Sequence, residues 1–412
     1  MPTGLVGTLR RSPQGLVRWA PDPAWLAQGQ SPRLGLGFLA DPGPRVAGTG
    51  LPPWFENLLP EVGSALRARL ARIHGIRPTD SFGLLGALGP DLPGAVTVVP
   101  QGALASAPGR DPGDGQPIPS HGAAEAPRLR FSLAGMQLKL SMTAAGERLA
   151  VPARDQLGAW IVKLPGRGYA ALPQVEHATM RWAAAAGHPV PQTRVVPVSA
   201  LDGLPAGWVE SGGDAFAIER FDRRADGTRV HHEDLCQALE LLPDHKYGDD
   251  PHQAIGYDGL VRLVVDACGE GEGRQLARRV GFVIASGNND AHLKNWSLCW
   301  GAARRPTLSP VYDHVATVSW PAWGWDADRP PTLGLSLGGK RSFAALTGAV
   351  LDRFVARSGQ AWAADELRRG ILDASAAVDA LGPSAPEAMR RALAEHWRRV
   401  PILREVAVPP FI

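Results

Sequence analysis

Hydrophobic spacing changes character several times along this chain, and each change marks a change of element type. Residues 4–50 interleave short apolar runs with Gly and Pro, the pattern of short strands and turns. "LPPWFENLLPE" (51–61) and "SALRARLARIHGI" (64–76) then turn helical, with Leu66, Leu70 and Ile73 at helical spacing. "DSFGLLGALGPDLPGAVTVVP" closes a first unit, 1–100. Residues 101–127 are rich in Pro, Gly and Ala and hold almost nothing to bury. Such a composition cannot offset the entropy of ordering, so a mobile linker is expected there.

Residues 128–224 predict a small, β-rich lobe. "LRFSLAGMQLKLSM" reads as strand, glycine turn, strand, and "GAWIVKLP" as a further strand. "PQVEHATMRWAAAAG" predicts a helix closed by Gly187, and "DAFAIERFDRR" a buried strand that breaks into polar residues. Over 225–412 the period becomes helical: "HEDLCQALELL", "YDGLVRLVVDAC", "GRQLARRVGFVIASG", "FAALTGAVLDRFVARSG" and "APEAMRRALAEHWRRV". A mixed small lobe followed by a mostly helical large lobe is an α+β, two-lobed architecture. Ligands of such proteins bind in the cleft where the lobes meet.

Composition narrows the class. At 412 residues, 44% hydrophobic and 20% charged, the chain reads as an ordinary soluble globular protein of two or three lobes. A formal charge of +3 implies no general affinity for polyanions. Three scattered cysteines make neither a disulfide framework nor a CxxC metal pair, and the reducing cytoplasm is the expected compartment. The first twenty residues lack a signal-peptide pattern, and no apolar run is long enough to cross a membrane.

The chemistry concentrates in "GNNDAHLKNWSL" (287–298). Taken alone it reads as a capping turn, since Gly, Asn and Asp form turns. Yet a carboxylate with an amide five residues on, Asp290 and Asn295, has the spacing of a phosphoryl-transfer loop that supplies a catalytic carboxylate and a Mg²⁺ ligand. A second metal ligand should end a later strand, and Asp313 in "LSPVYDHVAT" does so. Lys163 in "AWIVKLP" is the expected phosphate cation, with Glu176 on the next helix as its partner. "FSLAGMQLK" (131–139), with its single Gly135, is a weaker signal for a phosphate cover. In the connector "AIERFDRR", the backbone of Glu219 and Phe221 suits an adenine edge, and Asp222 the ribose hydroxyls. Each piece also has a plain structural reading. The ordered series of glycine turn, strand Lys, helix Glu, connector, DxxxxN loop and strand-end Asp favours phosphotransfer.

On these motifs the chain resembles the HipA family of toxin serine/threonine kinases over most of its length. "LPPWFENLLPE" and "GLLGALGPDLPGAV" look like the family's N-terminal subdomain. "FSLAGMQLKL", "WIVKLP", "IERFDRR", "HHEDLCQAL", "KYG", "NNDAHLKN" and "PVYDHVAT" look like its kinase core. The resemblance implies a protein-kinase-like fold, with Asp290 as catalytic base and Asn295 and Asp313 as Mg²⁺ ligands. It implies ATP contacts from Ala134, Gly135, Met136, Gln137, Leu138, Lys139 and Lys163, and from the connector Glu219, Arg220, Phe221 and Asp222. His292, Lys294, Asn295, Tyr312 and Asp313 join that set, and Ser132 is the implied autophosphorylation site. The implied partner is a HipB-like helix-turn-helix antitoxin, so DNA is reached only through it. The implied substrate is a protein, with an aminoacyl-tRNA synthetase or another translation component as an example. Departures are the 101–127 insertion and the Trp-rich "SWPAWGWDADRP" (319–330), where an activation segment would lie. Other readings are a lipid or small-molecule kinase, and a kinase-fold binding module or co-repressor without transfer activity. The arginines of helix 387–400 read as a solvated face.

Overall fold

Among the described residues, pairing of the period-two segments of the small lobe builds one six-stranded sheet. The computed structural model describes residues 4–27, 34–48, 50–101, 138–152, 157–165, 169, 171–204, 208, 212–301, 305–325, 327–408 and 410. Among the described residues the N-terminal region holds three strands, β1 (Gly7–Arg11), β2 (Val17–Pro21) and β3 (Arg45–Ala47). The small lobe adds β4 (Lys139–Ala145), β5 (Arg148–Ala150), β6 (Trp160–Lys163), β7 (Thr193–Pro197), β8 (Leu201–Asp202) and β9 (Asp214–Glu219). These six run in the order β7-β9-β6-β4-β5-β8, antiparallel except for β5 with β8. The expected helix spans Leu172–Ala185, buries Val175, Ala178 and Trp182 at helical spacing, and is followed by Gly187 at φ 84°.

Residues 102–127 of the expected linker, Ser132 and the Ala134–Gln137 turn lie outside the described residues. Within residues 4–50 the structure adds two five-residue helices, Pro23–Ala27 and Leu36–Ala40, to the expected strands. "HEDLCQALELL" is a correction. Residues His231–Asp234 form a strand, β10, and only Leu235–Ala238 are helical. Asp234 caps that turn by a capping box with Gln237, and β10 pairs with β11 (Ser297–Trp300), a partner no local pattern reveals.

The large lobe is built on the helices Tyr257–Cys268, Glu270–Ala285, Gly348–Ser358, Ala363–Ala376 and Glu387–Arg399. The central pair, Glu270–Ala285 and Ala363–Ala376, pack closely enough that a Cβ on Gly281 would lie 2.2 Å from the Leu367 carbonyl oxygen. On Gly370 it would lie 2.0 Å from that of Arg278, so both positions admit only glycine without a shift. No helix among the described residues is long and apolar enough to cross a membrane.

The N-terminal region packs on both lobes. Its Trp19, Phe38, Trp54 and Phe55 form an edge-to-face cluster, with Trp19 and Phe38 centroids 4.7 Å apart. Leu59, Leu85 and Leu92 share one core with Leu140, Met142 and Val162 of the small-lobe sheet. The polar joint is ionic. Asp91 accepts from Arg220 at 3.1 Å and Arg223 at 2.8 Å, and all three residues are buried. Removing one member of such a cluster strands the remaining charges. Asp91→Ala is therefore expected to lower stability by roughly 3 kcal/mol, read from the denaturant midpoint at unchanged slope. A loss under about 0.5 kcal/mol, the size of an ordinary surface change, would show that this joint is not a stabilising one.

Candidate functional site

Strand register sets two lysines side by side: Lys139 on β4 lies directly opposite Lys163 on β6. Both are 3% exposed. Like charges facing each other across a pair of strands repel, more so without water, unless an anion lies between them. Asp313 supplies that anion. Its Oδ2 accepts from Lys139 Nζ at 2.7 Å, and its Oδ1 from Lys163 Nζ at 2.5 Å. The expected Lys163–Glu176 ion pair is also present.

The electrostatics follow from burial and this clustering. Burial opposes the Lys163 charge, but Asp313 and Glu176 outweigh it and raise its pKa. For Lys139, burial outweighs Asp313 and lowers it. Burial would raise Asp313, yet the two ammoniums hold it well below the usual carboxylate range. Glu176 is raised, by burial first. Asp313 occupies this position with φ 53°, a left-handed conformation uncommon for a non-glycine residue and typical of functional sites.

The loop bearing Asp290 leaves the helix Glu270–Ala285 through Gly287 at φ 60°, where a Cβ would lie 2.5 Å from Val318 Cγ2. Asn288 Oδ1 accepts from the Asp290 N–H at 2.9 Å, and Asn295 Nδ2 donates to the Asp290 carbonyl at 2.8 Å. The amide of Asn295 is thereby oriented, with its oxygen on the opposite branch. Asp290 Oδ1 accepts from the Tyr247 hydroxyl at 2.7 Å, and the Asp290 side chain remains half exposed. Burial pushes the Asp290 carboxyl above its ordinary range, against the Tyr247 hydrogen bond and with the help of the Asp313 charge. His292 is buried, its Nε2 3.9 Å from Asp290 Oδ1, and burial holds its ring neutral.

The cleft between Lys163 and the connector is walled by Pro93, Lys139, Lys163, Phe221, Tyr312 and Asp313. A neighbouring chamber shares Tyr312 and Asp313 with it and adds Asn295. A separate and roomier depression, between 185–187 and 373–380, shares no residue with these two and is walled mainly by alanines. Convergent charge, not size, distinguishes the cleft.

The structure thus gathers Lys139, Lys163, Glu219, Phe221, Tyr312 and Asp313 around one cleft, with Asn295 in the adjoining chamber, Glu176 paired to Lys163 and the Asp290 carbonyl bonded by Asn295. Three expected nucleotide contacts are used differently. The Lys294 ammonium is bound to Asn57 Oδ1 at 2.7 Å, the Asn57 carbonyl at 3.1 Å and Asp234 Oδ2 at 3.0 Å, a tether to the N-terminal region. The Arg220 side chain is committed to Asp91 and Asp222, so only its backbone serves the connector. Asp222 accepts from Arg220 on both oxygens, and its Oδ2 also from Arg223 and the Gly94 N–H, each at 2.8 Å. Only Oδ1 retains room for a ribose hydroxyl.

Two features escaped the sequence reading. Tyr247 sits in "KYG", a motif noted only for its resemblance. His232, 4.9 Å from the Phe221 ring, lines both chambers. In the Trp-rich stretch, Asn289 Nδ2 donates to the Trp323 carbonyl at 2.9 Å, and Trp325 packs on His396. That stretch lies against the Asp290 loop.

Comparison with known proteins follows the same lines. A model of the HipA-like C-terminal domain matches residues 131–396, and one of the HipA N-terminal domain matches residues 1–99. The putative kinase Y4dM of Sinorhizobium fredii is 42% identical over 272 residues, 65% of this chain but only 63% of its own length. The serine/threonine-protein kinase toxin HipA of Shewanella oneidensis is 27% identical over 310 residues, 68% of this chain and 67% of its own. In the solved complex of the Shewanella oneidensis MR-1 toxin–antitoxin system HipA, HipB and its operator DNA, one chain superposes with a TM-score of 0.71. That alignment covers 98% of each chain at 22% identity, which shows a shared kinase-like α+β fold.

Proposed function

The chain belongs to the HipA family, and on that premise we propose that it transfers the γ-phosphate of ATP to a serine or threonine hydroxyl of a protein. One observation carries the reading: two buried, opposed lysines and Glu176 converge with Asp313 on the cleft, facing a loop that presents Asp290 and Asn295. Structural packing alone gives no reason to oppose two buried ammoniums. A polyphosphate, with several anionic oxygens, suits both.

The connector suits a purine. The Glu219 N–H bonds the Gln192 carbonyl and the Arg220 N–H that of Ala159. The Glu219 carbonyl and the Phe221 N–H are left as an acceptor–donor pair for adenine, beside the Phe221 ring. The oxygens of Asn295 and Asp313 fit Mg²⁺, a hard cation that takes one or two protein ligands and keeps its remaining positions for water and phosphate. When bound, the ion neutralises phosphate charge. Lys163 and Lys139 bind the triphosphate from the sheet side, Glu176 fixes Lys163, and Asp290 accepts the proton of the attacking hydroxyl.

The Gly135-bearing segment 134–137 is the proposed phosphate contact in this reading, and Ser132 the proposed autophosphorylation site. A HipB-like antitoxin is the proposed partner, because the chain shares its fold with HipA of a HipA–HipB–DNA complex. DNA is then reached through that partner, in the cytoplasm. The protein substrate is of the translation-component class that the family resemblance implies.

Incubating the purified protein with Mg²⁺ and γ-labelled ATP tests the proposal, with mass-spectrometric mapping of the label. Phosphate is expected on Ser132, and Ser132→Asp should bind ATP poorly, since phosphoserine-like charge repels the triphosphate. Absence of label from the protein and from added protein substrates, with no hydroxyl phosphorylated, would sink the kinase reading.

A further inference from the structure

A base that must meet an acceptor hydroxyl at hydrogen-bond distance is useful only if its carboxylate is aimed. The Asp290 backbone is fixed at both ends by Asn288 and Asn295, but neither touches the side chain through these bonds. The carboxylate itself is gripped at one oxygen. Tyr247 donates its hydroxyl to Oδ1 at 2.7 Å, a bond that does not engage Oδ2.

Tyr247 is itself held on every side. Its ring meets the His292 ring edge-on, with centroids 5.3 Å apart and planes at 82°. Arg341 donates to its carbonyl, and the Leu293 N–H donates to the carbonyl of the preceding Lys246 at 2.9 Å. The Lys246 ammonium reaches Glu61 of the N-terminal region at 2.9 Å. The tyrosine and the loop it serves are thus braced by the same neighbours. Burial first, and the Asp290 charge second, push the phenol above its ordinary range, so it keeps its proton and donates.

Resting on the kinase reading above, we infer that Tyr247 is the positioning residue of Asp290, locking one carboxylate oxygen so that the other is presented to the acceptor hydroxyl. It touches neither nucleotide nor acceptor. Its effect therefore falls on the transfer step and not on ATP affinity.

Tyr247→Phe removes one oxygen and keeps the ring packed on His292. Loss of one hydrogen bond to a charged group should lower kcat by roughly tenfold while KM for ATP stays within about twofold. Because Tyr247 acts only through Asp290, the double variant Y247F/D290N should be no slower than D290N alone. A Y247F protein with wild-type kcat, or a double variant slower than D290N by the same tenfold, would overturn the positioning role while the kinase reading stands. Wild-type protein that transfers no phosphate, or D290N as fast as wild type, would overturn the kinase reading and this inference with it.

Discussion

Asp290→Asn is expected to reduce phosphoryl transfer by roughly 10²–10⁴-fold, the range that a positioned general base contributes. The amide keeps the shape and leaves an oxygen for the Tyr247 hydroxyl. What it loses is the second carboxylate oxygen, which in the proposed mechanism accepts and orients the proton of the attacking hydroxyl. Burial raises the carboxyl of the native residue above its ordinary range, which brings it closer to the pKa of an efficient base at neutral pH. The amide oxygen can still accept from Tyr247 and the side chain is half exposed, so thermal melting should change little. In the proposed mechanism nucleotide affinity depends on Lys139, Lys163 and Asp313, so it should stay within about twofold of wild type by calorimetry. Single-turnover transfer near the wild-type rate would remove Asp290 from the chemistry. Loss of ATP affinity alongside activity would mean that it holds the nucleotide or the metal instead.

Much of this site was legible because its chemistry is local in sequence. Asp290 and Asn295 lie on one short loop, and the bond between the Asn295 amide and the Asp290 carbonyl joins residues five apart. Lys163 and Glu176 are separated by 13 positions, a strand and the start of the next helix, and their pairing follows from the charge a buried ammonium needs. Gly187 and Gly287 mark helix ends by a backbone requirement that only glycine meets readily.

What stayed hidden depends on register or on distant partners. Lys139 was expected at the phosphates from the weak signal of "FSLAGMQLK" and from resemblance, without its place in the sheet. Its position opposite Lys163 appears once β4 pairs with β6 in one particular register, and a slip of one residue would send it to the other face. The Lys294 tether joins residues 237 apart, and the Arg223–Asp91 pair residues 132 apart. No local pattern distinguishes such a lysine or arginine from a phosphate ligand. "HEDLCQALELL" misled for a related reason: its apolar spacing suits a helix, but pairing with β11 turns its first residues into a strand.

Asp313→Ala should abolish the Mg²⁺ dependence of ATP binding and destabilise the nucleotide-free protein. In the native cleft the Asp313 carboxylate bonds Lys139 and Lys163, and it is 28% exposed on the open side. Without it, the two ammoniums that face each other across the strands lose the carboxylate they share, while Lys163 keeps Glu176. Breaking such a pair costs about 3 kcal/mol at neutral pH. The sign with pH is fixed by the depressed Asp313 pKa: its contribution is complete above the unfolded value of about 3.9 and is lost as pH falls through the much lower folded value. The stability gap between variant and wild type should therefore be flat from about pH 5 to 8 and close only in strong acid. ATP without metal should bind the variant at least as tightly as wild type, because the triphosphate no longer displaces a carboxylate from the two ammoniums. Adding Mg²⁺ should then bring little, since Asn295 alone is a neutral ligand. Calorimetric titration of ATP with Mg²⁺ and with chelator, on both proteins, separates the two effects. If Mg²⁺ strengthens binding to the variant by the wild-type factor, Asp313 is not a metal ligand. If metal-free affinity falls instead of holding, the two lysines do not receive the phosphates.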